Sequence, residues 1–128
     1  MKKIYVACSL THSPEEYVKS ILDFKDSLRA NYQILDFLCL EKDEPQDVFE
    51  RDTQHVKDCD LLVADCSYPS IGLGYELAVA MQKEKSILAI AKKDLKVSRL
   101  LQGMTIYPKF QLVYYDNIAD IIPKLSEF

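Results

Sequence analysis

The chain has 128 residues, which fits one domain spanning 1–128 and is long enough to bury a sizeable core. Hydrophobic residues make up 48 %, which excludes a disordered chain, and no apolar run approaches the length needed to span a membrane. A formal charge of −4 with no basic run of five residues argues against a nucleic-acid duplex as partner, whereas a small phosphorylated ligand needs only local donors.

Lys3 to Cys8 reads as a first strand. Pro14 to Ala30 has helical periodicity, with Tyr17, Ile21, Phe24 and Leu28 at steps of three and four. Ser13 fits an N-cap, with Pro14 at the first helical position and Glu16 three residues on. Tyr32 to Leu40 reads as a second strand, Glu41 to Glu44 as a charged loop and Pro45 to Cys59 as a second helix. Leu61 to Cys66 is apolar on consecutive residues, as expected of a strand covered on both faces. Ile71 to Lys83 reads as a third helix, Ser86 to Ala91 as a fourth strand and Lys96 to Met104 as a short helix. Phe110 to Tyr115 is a fifth strand, and Asn117 to Leu125 a closing helix. Such alternation implies an α/β fold: a five-stranded parallel sheet with helices on both faces, a Rossmann-like three-layer sandwich in flavodoxin-like order.

Cys8, Cys39, Cys59 and Cys66 are dispersed and form no close metal-type pairs, which suits buried free thiols of an intracellular protein. Met1-Lys2-Lys3 runs at once into a strand and lacks the features of a signal peptide, so a cytoplasmic location is expected.

The stretch Ser70-Ile71-Gly72-Leu73-Gly74-Tyr75-Glu76-Leu77 follows the third strand directly and runs into a helix. In a parallel sheet, ligands bind where strands end. A helix start offers free N–H groups to an anion, and Gly72 and Gly74, read as a turn ahead of the helix, let a ligand approach the backbone. Glu76 there either complements the helix dipole or does chemistry. It is not a capping-box glutamate, because Leu73 occupies the cap position that spacing requires.

On the second helix the apolar stripe is Val48, Phe49, Val56 and Cys59, and Asp52 and His55 fall on it. Asp52 is either hydrogen-bonded to a neighbouring loop or is a pocket carboxylate whose burial would let it hold a proton near neutral pH. His55, alone at the stripe edge, reads as structural. Asp60 caps or turns the chain ahead of the third strand. Asp65, at the carboxyl end of that strand, suits a structural hydrogen bond and a ligand contact equally. No dinucleotide fingerprint, Walker lysine, nucleophile elbow or zinc pattern is present.

Ile4-Tyr5-Val6-Ala7-Cys8-Ser9, Asp52 eight residues before Asp60, and the run Pro69 to Leu77 together resemble the nucleoside 2-deoxyribosyltransferase superfamily. The 2'-deoxynucleoside 5'-monophosphate N-glycosidase branch carries a similar Pro-Ser-x-Gly-x-Gly-Tyr-Glu run. The resemblance covers nearly the whole chain and implies a Rossmann-like homodimer that acts on a small nucleoside or nucleotide without metal or cofactor. By the same resemblance, Glu76 attacks the anomeric carbon and Asp52 assists the departing base. Tyr5 lines the sugar and base pocket, Ser70 holds the 5'-phosphate, and Ser98 in Val97-Ser98-Arg99 corresponds to a serine supplied by the neighbouring subunit. Ser9 matches the branch, but the loop Ser9-Leu10-Thr11-His12-Ser13-Pro14 lacks its glycines and its arginine, a strong phosphate ligand. Thr11, His12 and Ser13 still offer hydrogen bonds there. The expected reaction is cleavage of an N-glycosidic bond through a glycosyl-enzyme on Glu76. Exchange of bases by a deoxyribosyltransferase and nucleotide binding without turnover are the alternatives.

Overall fold

The five apolar runs form strands β1 (Lys3–Cys8), β2 (Gln33–Leu35), β3 (Leu61–Asp65), β4 (Ser86–Lys92) and β5 (Phe110–Tyr115). Between them lie helices α1 (Glu15–Leu28), α2 (Pro45–Asp58), α3 (Ile71–Gln82) and α4 (Arg99–Gly103), with a 3₁₀ turn over Met104–Ile106 and a closing 3₁₀ helix over Ile118–Glu127. The computed structural model describes residues 1–36 and 43–128. All strand pairings are parallel, in the order β2-β1-β3-β4-β5, the flavodoxin-like arrangement expected from the sequence.

Each face of the sheet is covered by its own apolar cluster. Ile4, Val6, Leu61 and Val63 pack against Tyr17, Ile21, Phe24 and Leu28 of α1 and Ile121 and Leu125 of the closing helix. On the opposite face, Tyr5, Ala7, Leu62 and Ala64 meet Val56 of α2 and Leu73, Leu77 and Ala80 of α3. Register decides which polar residues share a face. Tyr5 pairs with Leu62 and Cys8 with Asp65, and strand side chains alternate, so Tyr5 and Asp65 leave the sheet on opposite sides.

Several local expectations are corrected. Helix α1 starts at Glu15 with Pro14 as its N-cap. The Ser13 hydroxyl instead donates to the Ser9 carbonyl at 2.8 Å, so the box with Glu16 does not form. On α2, Val56 and Cys59 are buried, but Phe49 is 58 % exposed. Its ring leans on Tyr75 of α3, centroids 5.6 Å apart, at the rim between the two helices rather than in the core. The short helix before β5 begins at Arg99, with the Ser98 hydroxyl accepting from the Leu100 N–H, and gives way to the 3₁₀ turn. The closing helix is 3₁₀ throughout; Pro123 inside it has no N–H for an α-helical ladder. Of the expected second strand only Gln33–Leu35 is seen as strand. Its residues 37–40, with Cys39, and Glu41 and Lys42 of the charged loop lie outside the described residues. Among the described residues Cys8, Cys59 and Cys66 are buried free thiols, and no helix is long and apolar enough to cross a membrane.

Candidate active site

The loop after β3 enters α3 through Ser70, whose side chain accepts the Leu73 N–H at 3.2 Å and caps the helix. Gly72 and Gly74 therefore lie inside the first turns of α3, not in a turn ahead of it. A Cβ at Gly72 would meet only Ser70 Oγ, at 3.8 Å, and one at Gly74 would meet nothing within 4 Å. The space beside the start of the helix is open.

Glu76 projects from α3 toward β1, where the Tyr5 hydroxyl donates to its Oε2 at 2.5 Å. Burial pushes the Glu76 carboxyl up to about 7; the Tyr5 hydrogen bond opposes this, and the nearby negative charge of Asp52 adds to it. The phenol of Tyr5 is itself driven up, first by burial and then by the Glu76 charge, so it stays a donor. Asp52 thus acts electrostatically on both residues: α2, α3 and β1 bring Tyr5, Asp52 and Glu76 close together on one face of the sheet.

The Asp52 side chain is 19 % exposed and accepts from Arg51 Nε at 3.1 Å. Arg51 Nη1 also donates to Asp43 Oδ2 at 3.0 Å, which ties the start of α2 to the carboxylate. Sequence reasoning missed Arg51, although its place three residues after Val48, four before His55 and next to Asp52 could have signalled it. His55, one turn on, sits with Nε2 2.7 Å from the Asp36 carbonyl and its ring centroid 5.6 Å from that of Tyr5.

The remaining candidates spread over three places. The Ser9 hydroxyl is buried and donates to the Pro69 carbonyl at 3.2 Å, so it latches the first loop to the one before α3. Ser70 and Ser98 line a cavity of about 460 Å³ between α3 and α4, together with Gly74, Lys96 and apolar side chains such as Leu77, Met81 and Leu101. This cavity is lined by neither Glu76 nor Asp52 and lies against the other flank of α3. Asp65 lies apart from Glu76 altogether. It is fully buried on the α1 face, accepting from the Tyr115 hydroxyl at 2.5 Å and the Ser67 N–H at 3.0 Å. Of its two readings the geometry is that of the structural one, because the β1–β3 register turns it away from Tyr5. Asp60 ties the sheet margin: Lys3 N–H donates to its Oδ2 at 2.8 Å, and its own N–H donates to the Lys3 carbonyl at 2.8 Å. Among the described residues no group of three or more His, Cys, Asp or Glu side chains is placed to hold a metal ion.

Fold and site define a class: an open parallel α/β sheet with a half-buried glutamate hydrogen-bonded to a tyrosine of β1 and a second carboxylate near it. No family model matches the chain. It is 39 % identical over 94 residues to a protein of Thermofilum pendens named provisionally as a 2'-deoxynucleoside 5'-phosphate N-hydrolase 1, covering 71 % of this chain and 65 % of that one. It is 31 % identical over 91 residues to a Danio rerio protein named 5-hydroxymethyl-dUMP N-hydrolase, covering 68 % and 64 %. The chain thus spans just under two thirds of the length of these curated relatives. The solved structure of a CMP N-glycosidase from Clostridium botulinum superposes with a TM-score of 0.76 at 20 % identity, covering 98 % of both chains. A 2-deoxyribosyltransferase from Leishmania mexicana superposes with a TM-score of 0.72 at 14 % identity, covering 99 % of this chain and 98 % of that one. In sequence the chain is similar to these N-hydrolases, and its fold is that of the N-glycosidase and 2-deoxyribosyltransferase structures.

Proposed function

We propose that this chain is an enzyme that cleaves the N-glycosidic bond of a nucleoside 5'-monophosphate and releases free base, with Glu76 as nucleophile. The observation that carries the reading is the half-buried Glu76, held by the Tyr5 hydroxyl at 2.5 Å with the Asp52 charge beside it. The names of the relatives in Thermofilum pendens and Danio rerio supply the substrate class.

In the first step an ionised Glu76 oxygen bonds to the anomeric carbon as the bond to the base breaks. The base leaves with the electron pair, and Asp52 assists by hydrogen-bonding or protonating it. Water then attacks the anomeric carbon, the bond to Glu76 breaks and the sugar phosphate departs, with the proton from water returning to the carboxylate pair. The Tyr5 hydrogen bond holds one Glu76 oxygen still and leaves the other to react. Ser70 and the N-terminus of α3 suit the 5'-phosphate. Gly72 and Gly74 keep that approach open. Ser98 is exposed beside an apolar groove and belongs to this scheme through a homodimer, in which a neighbouring copy brings its hydroxyl to the phosphate end.

The test is chromatography of a mixed nucleotide and nucleoside panel after incubation, with Glu76→Ala as control. Free base from a monophosphate in the parent alone supports the reading; no base from any member defeats it. The missing arginine in the first loop favours one second reading, exchange of bases on a nucleoside. Faster incorporation of a labelled acceptor base than release to water would select it. Ligand binding that survives Glu76→Gln with no turnover in the parent would leave a binding protein.

A further inference from the structure

We infer that His55 is a positioning residue: pinned to the Asp36 carbonyl, its ring holds the Tyr5 ring so that the Tyr5 hydroxyl stays on Glu76. The inference rests on the reading of Glu76 as the reacting carboxylate and adds a residue which that reading does not use.

The geometry is a chain of contacts that runs from outside the site to the nucleophile. A carbonyl oxygen only accepts, so His55 Nε2, 2.7 Å from Asp36 O, carries the proton and donates. That acceptor is fixed from its other end. The Asp36 carboxylate binds Nζ of Lys25 on α1 at 3.3 Å and Nη1 of Arg29, the C-cap of that helix, at 2.9 Å, and the Lys25 side chain is only 3 % exposed. The imidazole therefore has one orientation, and its ring lies 5.6 Å from the Tyr5 ring at an interplanar angle of 43°. Offset and tilted aromatic pairs of this kind resist sliding. Tyr5 is buried, and its hydroxyl donates to Glu76 Oε2. A polar ring on the inward stripe of α2, where a leucine would pack as well, is what such a role requires.

Among the described residues, the charged and titrating groups that act on Glu76 are Tyr5 and Cys8 from β1 and Asp52 from α2, with Arg51 bound to Asp52 behind it and His55 against Tyr5. The Tyr5 bond favours the ionised carboxylate. Letting the Tyr5 ring rock weakens that bond and drives the Glu76 titration to higher pH.

The experiment is a titration of the Glu76 carboxyl by carbon NMR in the full chain, assigned with Glu76→Gln. The variants are Tyr5→Phe, His55→Ala, His55→Phe and the Tyr5→Phe/His55→Ala double. Expected is an alkaline shift from about 7 in both Tyr5→Phe and His55→Ala, by about half a pH unit or more. His55→Phe keeps a ring against Tyr5 but cannot donate to the Asp36 carbonyl, so it should shift in the alkaline direction too, by less than His55→Ala. The double variant should move no further than Tyr5→Phe alone, since both lesions break the same contact. A His55→Ala titration at the parental pH, or a double variant showing the sum of the two shifts, overturns the inference. If His55→Ala does not fold, a Tyr5→Phe-sized shift in a folded His55→Leu protein supports it, and a parental titration there overturns it. Base release assayed on the same proteins separates the two claims: a parent without activity defeats the proposed reaction, while the titration still decides the role of His55.

Discussion

Glu76 faces two opposed demands. Burial pushes its carboxyl up to about 7, while the attack it would make needs the ionised form. Activity should therefore rise as pH increases through about 7 and level off above it. A rate that falls over that range would recast Glu76 as an acid. The same shift bears on folding. The ordinary value for this carboxyl is near 4.5 and the folded value is higher, so the folded state binds the extra proton between the two. The stability this contributes is fully present below pH 4.5 and is lost as pH rises through 7. Glu76→Gln should then abolish base release yet be more stable than the parent at pH 8, by about 1–3 kcal/mol, with no difference at low pH. Urea denaturation at the two pH values checks this, and equal stabilities at pH 8 would show that the carboxylate is well solvated.

Among the elements, the C-terminal ends of β3 and β5 are joined by Asp65 and Tyr115, out of reach of the Glu76 site. Asp65→Ala leaves the Tyr115 hydroxyl and the Ser67 N–H without their acceptor, and should cost about 3–5 kcal/mol of stability in a denaturation series. A variant that stays folded under assay conditions should keep the parent's pH profile, because Glu76 lies across the sheet. At the start of α3 the Ser70 side chain caps the helix. Ser70→Ala should cost about 1 kcal/mol, and on the proposed scheme it should raise KM for a monophosphate more than for the matching nucleoside. Glu84, just past α3, holds a φ of 55°. Glu84→Gly should relieve that left-handed strain and stabilise the chain by about 0.5–1 kcal/mol, measurable as a rise in Tm.

At the scale of the whole molecule, the sheet and its order were legible because each inner strand is an unbroken apolar run and each crossover carries a helical stripe. The pair Glu76 and Asp52 was legible too, one from its place after a central strand and the other as an acid on an apolar face. What one sequence could not provide was register. The sequence left Asp65 equally open to a structural hydrogen bond and a ligand contact, and the pairing of Cys8 with Asp65 turns it to the α1 face. Phe49 looked like core by periodicity, yet it lies at a helix–helix rim where no sheet covers it. The hydroxyls of Ser9 and Ser98 were legible as residues but not as the local bonds they make to Pro69 and Leu100. The proposed homodimer belongs to this scale as well. Light scattering across a concentration series should give twice the chain mass, and Leu100→Asp, at a side chain 75 % exposed beside the α3–α4 groove, should shift it to the single-chain mass.

The central claim is that the sugar is carried on Glu76. Mass spectrometry of protein quenched during turnover of a reactive monophosphate tests it most directly. The account predicts the added mass of the sugar phosphate on the peptide containing Glu76, and neither adduct nor base release in Glu76→Ala. An adduct on any other peptide, or base released by Glu76→Ala at the parental rate, would contradict it.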